Sequence, residues 1–350
     1  MWRDYIRRVT PYTPGEQPKG KCVIKLNTNE NPYPPCPGAK DALASFDYDS
    51  LRKYPDPTVS KLRGAIAAYH NLDVDNVFVG VGSDDVIAMC YMTFFNSDMP
   101  IFFPDITYSF YDVWAEEFDV PYVTKALDDD FRIMASDYYE DNGGIIIPNP
   151  NAPTGIAEGV GFFIDILEHN RDSIVIIDEA YVDFGAESVL GLLEEYDNLI
   201  VVRTFSKSRS LAGSRIGYAL ASAEIIKAIH DVKYSYNSYT MDSITIALGI
   251  EAIRDEEYFR DNLNRIICTR NWTYDSLVSL GFKVFDSSAN FLFVKPSGIT
   301  AAKLYEELRA NNILVRYFNK PRIDEYLRIT IGTESEMQEL IKVIKNILVK

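Results

Sequence analysis

Three short runs of this sequence are aliphatic without alternation: Gly144–Pro148 (GIIIP), Ser173–Asp178 (SIVIID) and Asn198–Thr204 (NLIVVRT). A strand with one wet face alternates apolar and polar residues. Unbroken apolar runs of this length fit strands buried on both faces, as in a parallel sheet covered by helices. Asn76–Val81, Pro100–Phe103 and Gly217–Ala221 read the same way, and Ser60–His70 carries Leu62, Ala65, Ile66 and Tyr69 on one helical stripe. The pattern predicts an α/β fold: a large domain with a mostly parallel central sheet covered by helices.

The last third has a different rhythm. Two long helices are expected over 241–254 and 256–280, then short strands around Val284, Ala289–Val294, Ile313–Tyr317 and Tyr326–Ile331, with helices at 300–311 and 334–348. This predicts a smaller α+β C-terminal lobe. Prolines at 11, 14, 18, 32, 34, 35 and 37 argue against regular structure in the first forty residues. The expected division of the 350 residues is an N-terminal arm (1–35), a large domain (36–260) and a small domain (261–350).

A net charge of −16 makes the chain a poor match for nucleic acid or an anionic bilayer. Cys22, Cys36, Cys90 and Cys268 form no short pair, and His70, His169 and His230 do not cluster, so neither a disulfide frame nor a metal site is expected. The start, MWRDYIRRVT, does not resemble a signal peptide, and the apolar run Val86–Phe95 is too short for a membrane span. The expected location is the cytoplasm.

In open α/β sheets, ligands bind beyond the carboxyl ends of the strands. Strand 76–81 runs into Gly80-Val81-Gly82-Ser83-Asp84-Asp85, which reads either as a phosphate cup or as an ordinary helix cap. Gly15–Lys21 matches G-x-x-x-x-G-K, but Cys22 replaces the hydroxyl residue, Pro18 removes an N–H, and no strand precedes it. A nucleotide loop is rejected there. Strand 173–178 ends in Asp178, a carboxylate costly to bury without a cationic partner. Strand 198–204 leads to Ser206-Lys207, with Arg215 between Gly213 and Gly217. An amide-rich turn, Asn149–Gly155 (NPNAPTG), closes a third strand.

Taken together, NPNAPTG, Asp178-Glu179-Ala180-Tyr181 and Ser206-Lys207 followed by Arg215 resemble the fold type I pyridoxal-phosphate aminotransferases. Leu26–Pro34 (LNTNENPYP), Arg52–Pro57 (RKYPDP) and Leu327–Thr333 (LRITIGT) are similar to the histidinol-phosphate aminotransferase branch, and the likeness runs from about Thr10 to the C-terminus. The resemblance implies pyridoxal 5'-phosphate as cofactor, in an imine with Lys207. Asp178 would hold the pyridine nitrogen, Tyr181 and Asn151 would donate to the phenolate, and Tyr108 would stack on the ring. Gly82, Ser83 and Asp84 at a helix start, with Ser206 and Arg215, would hold the phosphate. Tyr54 matches a tyrosine that the family supplies from the partner subunit, which implies a homodimer with shared active sites.

The family commonly has two asparagines before Pro-Thr-Gly, whereas here the second is Ala152. The implied reaction is ping-pong transamination between a small-molecule amine and a 2-oxo acid, with Lys207 as acid and base. Arg328 would grip the carboxylate of 2-oxoglutarate and Arg316 the distal phosphate of histidinol phosphate, in a pocket lined by Tyr12 and Asn29. Rival readings are a threonine-phosphate decarboxylase, an aromatic aminotransferase, a nicotinamide dehydrogenase using Gly80–Asp85, and an inactive interaction protein.

Overall fold

The computed structural model describes residues 1–10, 15–17 and 23–349. Tyr12 lies outside the described residues. Chain order begins with β1 (Ile24–Lys25), α1 (Pro37–Ala44) and α2 (Ser60–His70). Then come β2 (Val77–Gly80), α3 (Ser83–Phe94), β3 (Ile101–Pro104), α4 (Tyr111–Glu117), β4 (Tyr122–Lys125), β5 (Gly144–Pro148) and α5 (Val160–His169). β6 (Val175–Asp178), β7 (Leu199–Thr204) and β8 (Gly217–Ala221) complete the large sheet, followed by α6 (Ala223–Tyr236), α7 (Ser243–Arg254) and α8 (Glu256–Ser279). The chain closes with β9 (Lys283–Val284), β10 (Phe291–Lys295), α9 (Ala301–Ala310), β11 (Ile313–Leu314), β12 (Arg316–Tyr317), β13 (Leu327–Thr330) and α10 (Glu334–Val349).

The large sheet has the order β2-β8-β7-β6-β5-β3-β4. Its members are parallel except β8, which is antiparallel to both β7 and β2. The reason is local. Between β7 and β8 the chain forms only one short 3-10 turn, Ala212–Ser214, so it lacks the helical crossover that a parallel return needs. That same reversal carries Lys207.

Burial on both faces accounts for the aliphatic runs. Along β5, β6 and β7, Ile145, Ile147, Ile177 and Val201 enter one core while Ile146, Ile176, Ile200 and Val202 enter a second core on the opposite face. β4 was not apparent in the sequence because Tyr122 and Val123 are exposed on a sheet edge. The proline-rich opening also needs correction. α1 starts at Pro37, where the missing N–H is no loss, and β1 pairs with β11.

The small lobe is an antiparallel sheet, β12-β13-β10-β9, with a core of its own. Alternate residues of β10 divide between cores: Leu292 and Val294 face the small lobe, and Phe293 packs into the large core. Apolar partners also change along α8, with Tyr258 on the large core and Ile266 and Leu277 in the small one. Residues 24–31, read from the sequence as part of an irregular arm, run as a strap between the lobes. Leu26 is in the small core and its carbonyl accepts from Thr330 N at 3.0 Å.

Candidate active site

The carboxyl ends of β2, β5, β6 and β7 open into one cavity of about 350 Å³. Ser83, Asp84, Tyr108, Asp178, Tyr181, Ser206, Lys207 and Arg215 all line it. Thr28 and Glu30 from the strap close one side. The Lys207 amine and the Asp178 carboxylate therefore share one space, with no packed wall between them.

Asp178 ends β6 and is buried. Burial pushes its carboxyl up to about 6, against the donors Tyr111 Oη (2.8 Å to Oδ2) and Ala180 N (3.1 Å to Oδ1). A carboxylate kept in a cavity under that strain suits a cationic ligand atom, such as a protonated ring nitrogen. Lys207 Nζ lies 3.5 Å from the Thr28 carbonyl and 5.7 Å from the centre of the Tyr181 ring. Asn31 Nδ2 donates to the carbonyls of Lys207 (2.9 Å) and Ser208 (3.2 Å), so the strap also fixes the lysine's backbone.

At the other end, Asp84 in the first turn of α3 accepts from Tyr108 Oη at 2.7 Å and from Arg215 Nη2 at 2.8 Å. The first-turn N–H groups of a helix have no partner within it, and Gly82 caps this one at φ +91°. Arg215 is itself left-handed, φ 54°, which swings its guanidinium across that helix start. An L side chain at that φ is strained, and a Cβ on Gly82 would come within 2.5 Å of Arg215 Nη2 and push the guanidinium aside. Helix amides, the Ser206 hydroxyl and a guanidinium are donors of the kind that a phosphate takes. The residues present thus fit pyridoxal phosphate, which calls for an amine, a carboxylate for its ring nitrogen, an aromatic face and donors for its phosphate.

A second pocket of about 150 Å³ shares Thr28, Tyr108, Ala152, Tyr181 and Lys207 with the first, and adds Asn29, Arg316 and Arg328. Arg316 on β12 and Arg328 on β13 are direct cross-strand partners. Arg328 Nη2 donates to the Asn27 carbonyl at 3.0 Å.

Two expected residues lie elsewhere. Asn151 is buried and does not line the cavity. Its Nδ2 donates to the Ile106 carbonyl (3.0 Å) and its Oδ1 accepts from Thr107 (2.9 Å), while Ala152 reaches the cavity instead. Tyr54 is 82% exposed, against Tyr239 at 4.7 Å between ring centres, and is not among the cavity's lining residues.

Sequence reasoning missed Tyr111, Asn31 and a buried network behind the site. Arg203 Nε donates to Glu179 Oε2 (3.0 Å), its Nη2 donates to Ser188 (2.7 Å), and Asp183 accepts from Ser208 (2.5 Å). The signal was present: Arg203 interrupts one aliphatic run and Glu179 ends its neighbour.

The fold and these sites are those of a pyridoxal-phosphate-dependent aminotransferase, and residues 21–344 match the family described as aminotransferase class I and II. The chain is 50% identical over 346 residues to histidinol-phosphate aminotransferase of Brachyspira hyodysenteriae (99% of this chain, 98% of that one). It is 48% identical over 349 residues to that of Lactococcus lactis (100% and 97%). A crystal structure of histidinol-phosphate aminotransferase from Sinorhizobium meliloti in complex with pyridoxal-5'-phosphate shares the fold, with TM-score 0.85 and 23% identity over 93% of this chain and 92% of that one. This chain belongs to the histidinol-phosphate aminotransferase family.

Proposed function

We propose that the protein moves the amine of histidinol phosphate to 2-oxoglutarate, a step of histidine synthesis, with pyridoxal phosphate in the 350 Å³ cavity. One observation carries the substrate side: Arg316 and Arg328 stand at directly opposed positions of β12 and β13, in a pocket that also contains Lys207. Two guanidiniums so placed can converge on one anion. Guanidinium forks match both phosphate and carboxylate oxygens. An anion held there leaves the remainder of the molecule beside the Lys207 amine, so a phosphorylated amine and a dicarboxylic oxo acid can use the same pair in turn.

The bound cofactor supplies the electron sink for the charge left when the substrate's amine-bearing carbon loses its proton. The protein does the rest. Lys207 Nζ takes and returns that proton. Asp178 holds the ring nitrogen, Tyr181 donates into the cavity, Tyr108 stacks, and the α3 N-terminus with Ser206 and Arg215 anchors the phosphate. The enzyme acts as a homodimer in which Tyr54, exposed beside Tyr48 and Leu51, completes the partner's phosphate site. Residues 36–260 form the cofactor domain and 261–350 the small domain. Among the described residues no helix is long and apolar enough to cross a membrane, and we place the enzyme in the cytoplasm.

The test is to add histidinol phosphate to the yellow holoenzyme. The visible band should fade and return on adding 2-oxoglutarate. Release of carbon dioxide from threonine phosphate, with no response to histidinol phosphate, would overturn the reading in favour of a decarboxylase.

A further inference from the structure

Ala152 lines the cofactor cavity where the family commonly carries an amide, and the Asn151 amide is taken up by Ile106 and Thr107. Tyr181 must donate there without that neighbour. We infer that Asn29 is a positioning residue: it aims the Tyr181 proton into the cofactor cavity and so stands in for the amide absent at 152. The inference rests on the pyridoxal-phosphate reading and deepens it.

Asn29 is 1% exposed and left-handed at φ 56°, and its hydrogen bonds orient its amide. Its backbone N–H donates to Thr330 Oγ1 at 3.0 Å, and Asn290 Nδ2 donates to its carbonyl at 3.0 Å. The Thr330 hydroxyl has a single proton, and it goes to Asn29 Oδ1 at 3.2 Å. Oδ1 therefore faces Thr330, and Nδ2 must face the other way. There it donates to Tyr181 Oη at 2.8 Å.

A hydroxyl that accepts from an amide is a better donor of its own proton. Among the described residues nothing takes that proton, and Tyr181 lines both pockets. The ring is fixed too, edge-on to Phe291 at 5.1 Å. Only an acceptor inside the cavity remains, and the cofactor's phenolate is the acceptor of the right charge. Asn29 acts through Tyr181, without contact of its own with that oxygen.

The experiment is a spectrophotometric pH titration of the holoenzyme's visible band. A donor to the phenolate lowers the proton affinity of the chromophore, so losing it raises the apparent pKa. Asn29→Gly keeps the left-handed backbone and both backbone hydrogen bonds. It should raise the apparent pKa, by no more than the roughly one unit that a whole hydrogen bond to a charged group is worth, because the Tyr181 hydroxyl itself remains. In a Tyr181→Phe background the same substitution should add no shift, and Ala152→Asn introduced into Asn29→Gly should lower the value again. An unshifted Asn29→Gly, an equal shift without the Tyr181 hydroxyl, or no effect of Ala152→Asn would each overturn the assignment. If Asn29→Gly does not hold cofactor, Asn29→Asp serves: its carboxylate takes the Tyr181 proton, so the pKa must rise, and no rise overturns the assignment. A wild-type protein with no visible band, or a band that survives Lys207→Ala, would sink the cofactor reading itself.

Discussion

Tyr111 donates to Asp178 Oδ2 at 2.8 Å from a fully buried position, while Ala180 N donates to Oδ1 at 3.1 Å. Both oxygens of the buried carboxylate are thus oriented before any ligand arrives. Removing the phenol as Tyr111→Phe changes little volume but frees Asp178 to turn and desolvates it without compensation. Affinity for pyridoxal phosphate should fall about tenfold, the worth of one hydrogen bond to a charged group. A cofactor titration followed by absorbance measures it. Unchanged affinity would remove Tyr111 from the site.

Asp178 also gives the cofactor-free protein a pH signature. Burial raises its carboxyl to about 6 from an ordinary 3.8. The folded state therefore binds this proton more tightly than the unfolded chain. The cost of ionising it is absent below about pH 4 and complete above about pH 7, so stability is lost as pH rises through that window. Asp178→Asn should make the apoprotein more stable at pH 8 by roughly 2–3 kcal/mol, with the gain gone near pH 4. Denaturant unfolding of both proteins across that range tests the sign. The same substitution should weaken cofactor binding.

Lys207→Ala removes the one amine among the cavity's lining residues. Transamination should fall by at least about a thousandfold and the visible band should vanish, while apoprotein melting stays close to wild type. Full turnover by this variant would contradict the assignment.

Arg316 and Arg328 line the second pocket and neither lines the cofactor cavity, so Arg316→Ala and Arg328→Ala should spare the cofactor. Arg316→Ala should weaken histidinol phosphate by about a hundredfold, with pyridoxal phosphate binding unchanged. Equal losses of substrate and cofactor would place Arg316 elsewhere.

Behind the site, Glu179 is fully enclosed with Arg203 Nη2 at 2.8 Å. Arg203→Ala strands that carboxylate and should destabilise the protein by about 3–5 kcal/mol, read as a shift in the denaturation midpoint. A loss near zero would show that water reaches Glu179.

The order of the chemistry-bearing segments was legible because the main ones follow short aliphatic runs, and such runs fit strands buried on both faces. Lys207, Asp178, Tyr181, Tyr108 and Arg215 meet at the carboxyl edge of the sheet for that reason. Tyr111 was not legible. It opens a short helix after a loop, and nothing in its neighbours says which strand end the helix crosses. Asn151 was misleading in another way. Its motif marked the right turn, but which of two successive residues faces the cavity depends on how the turn sits.

Sequence alone determined the strand runs, the residues at their ends and an alanine beside Asn151 in the turn, because these are properties of neighbours along the chain. Only the tertiary structure decided that β8 runs backwards and that Arg316 opposes Arg328. Only it decided that the strap's Asn29 reaches Tyr181 across 152 residues of sequence. Those facts depend on register and on the direction of a side chain's proton, which are set when distant segments pack and every buried polar atom must find its partner.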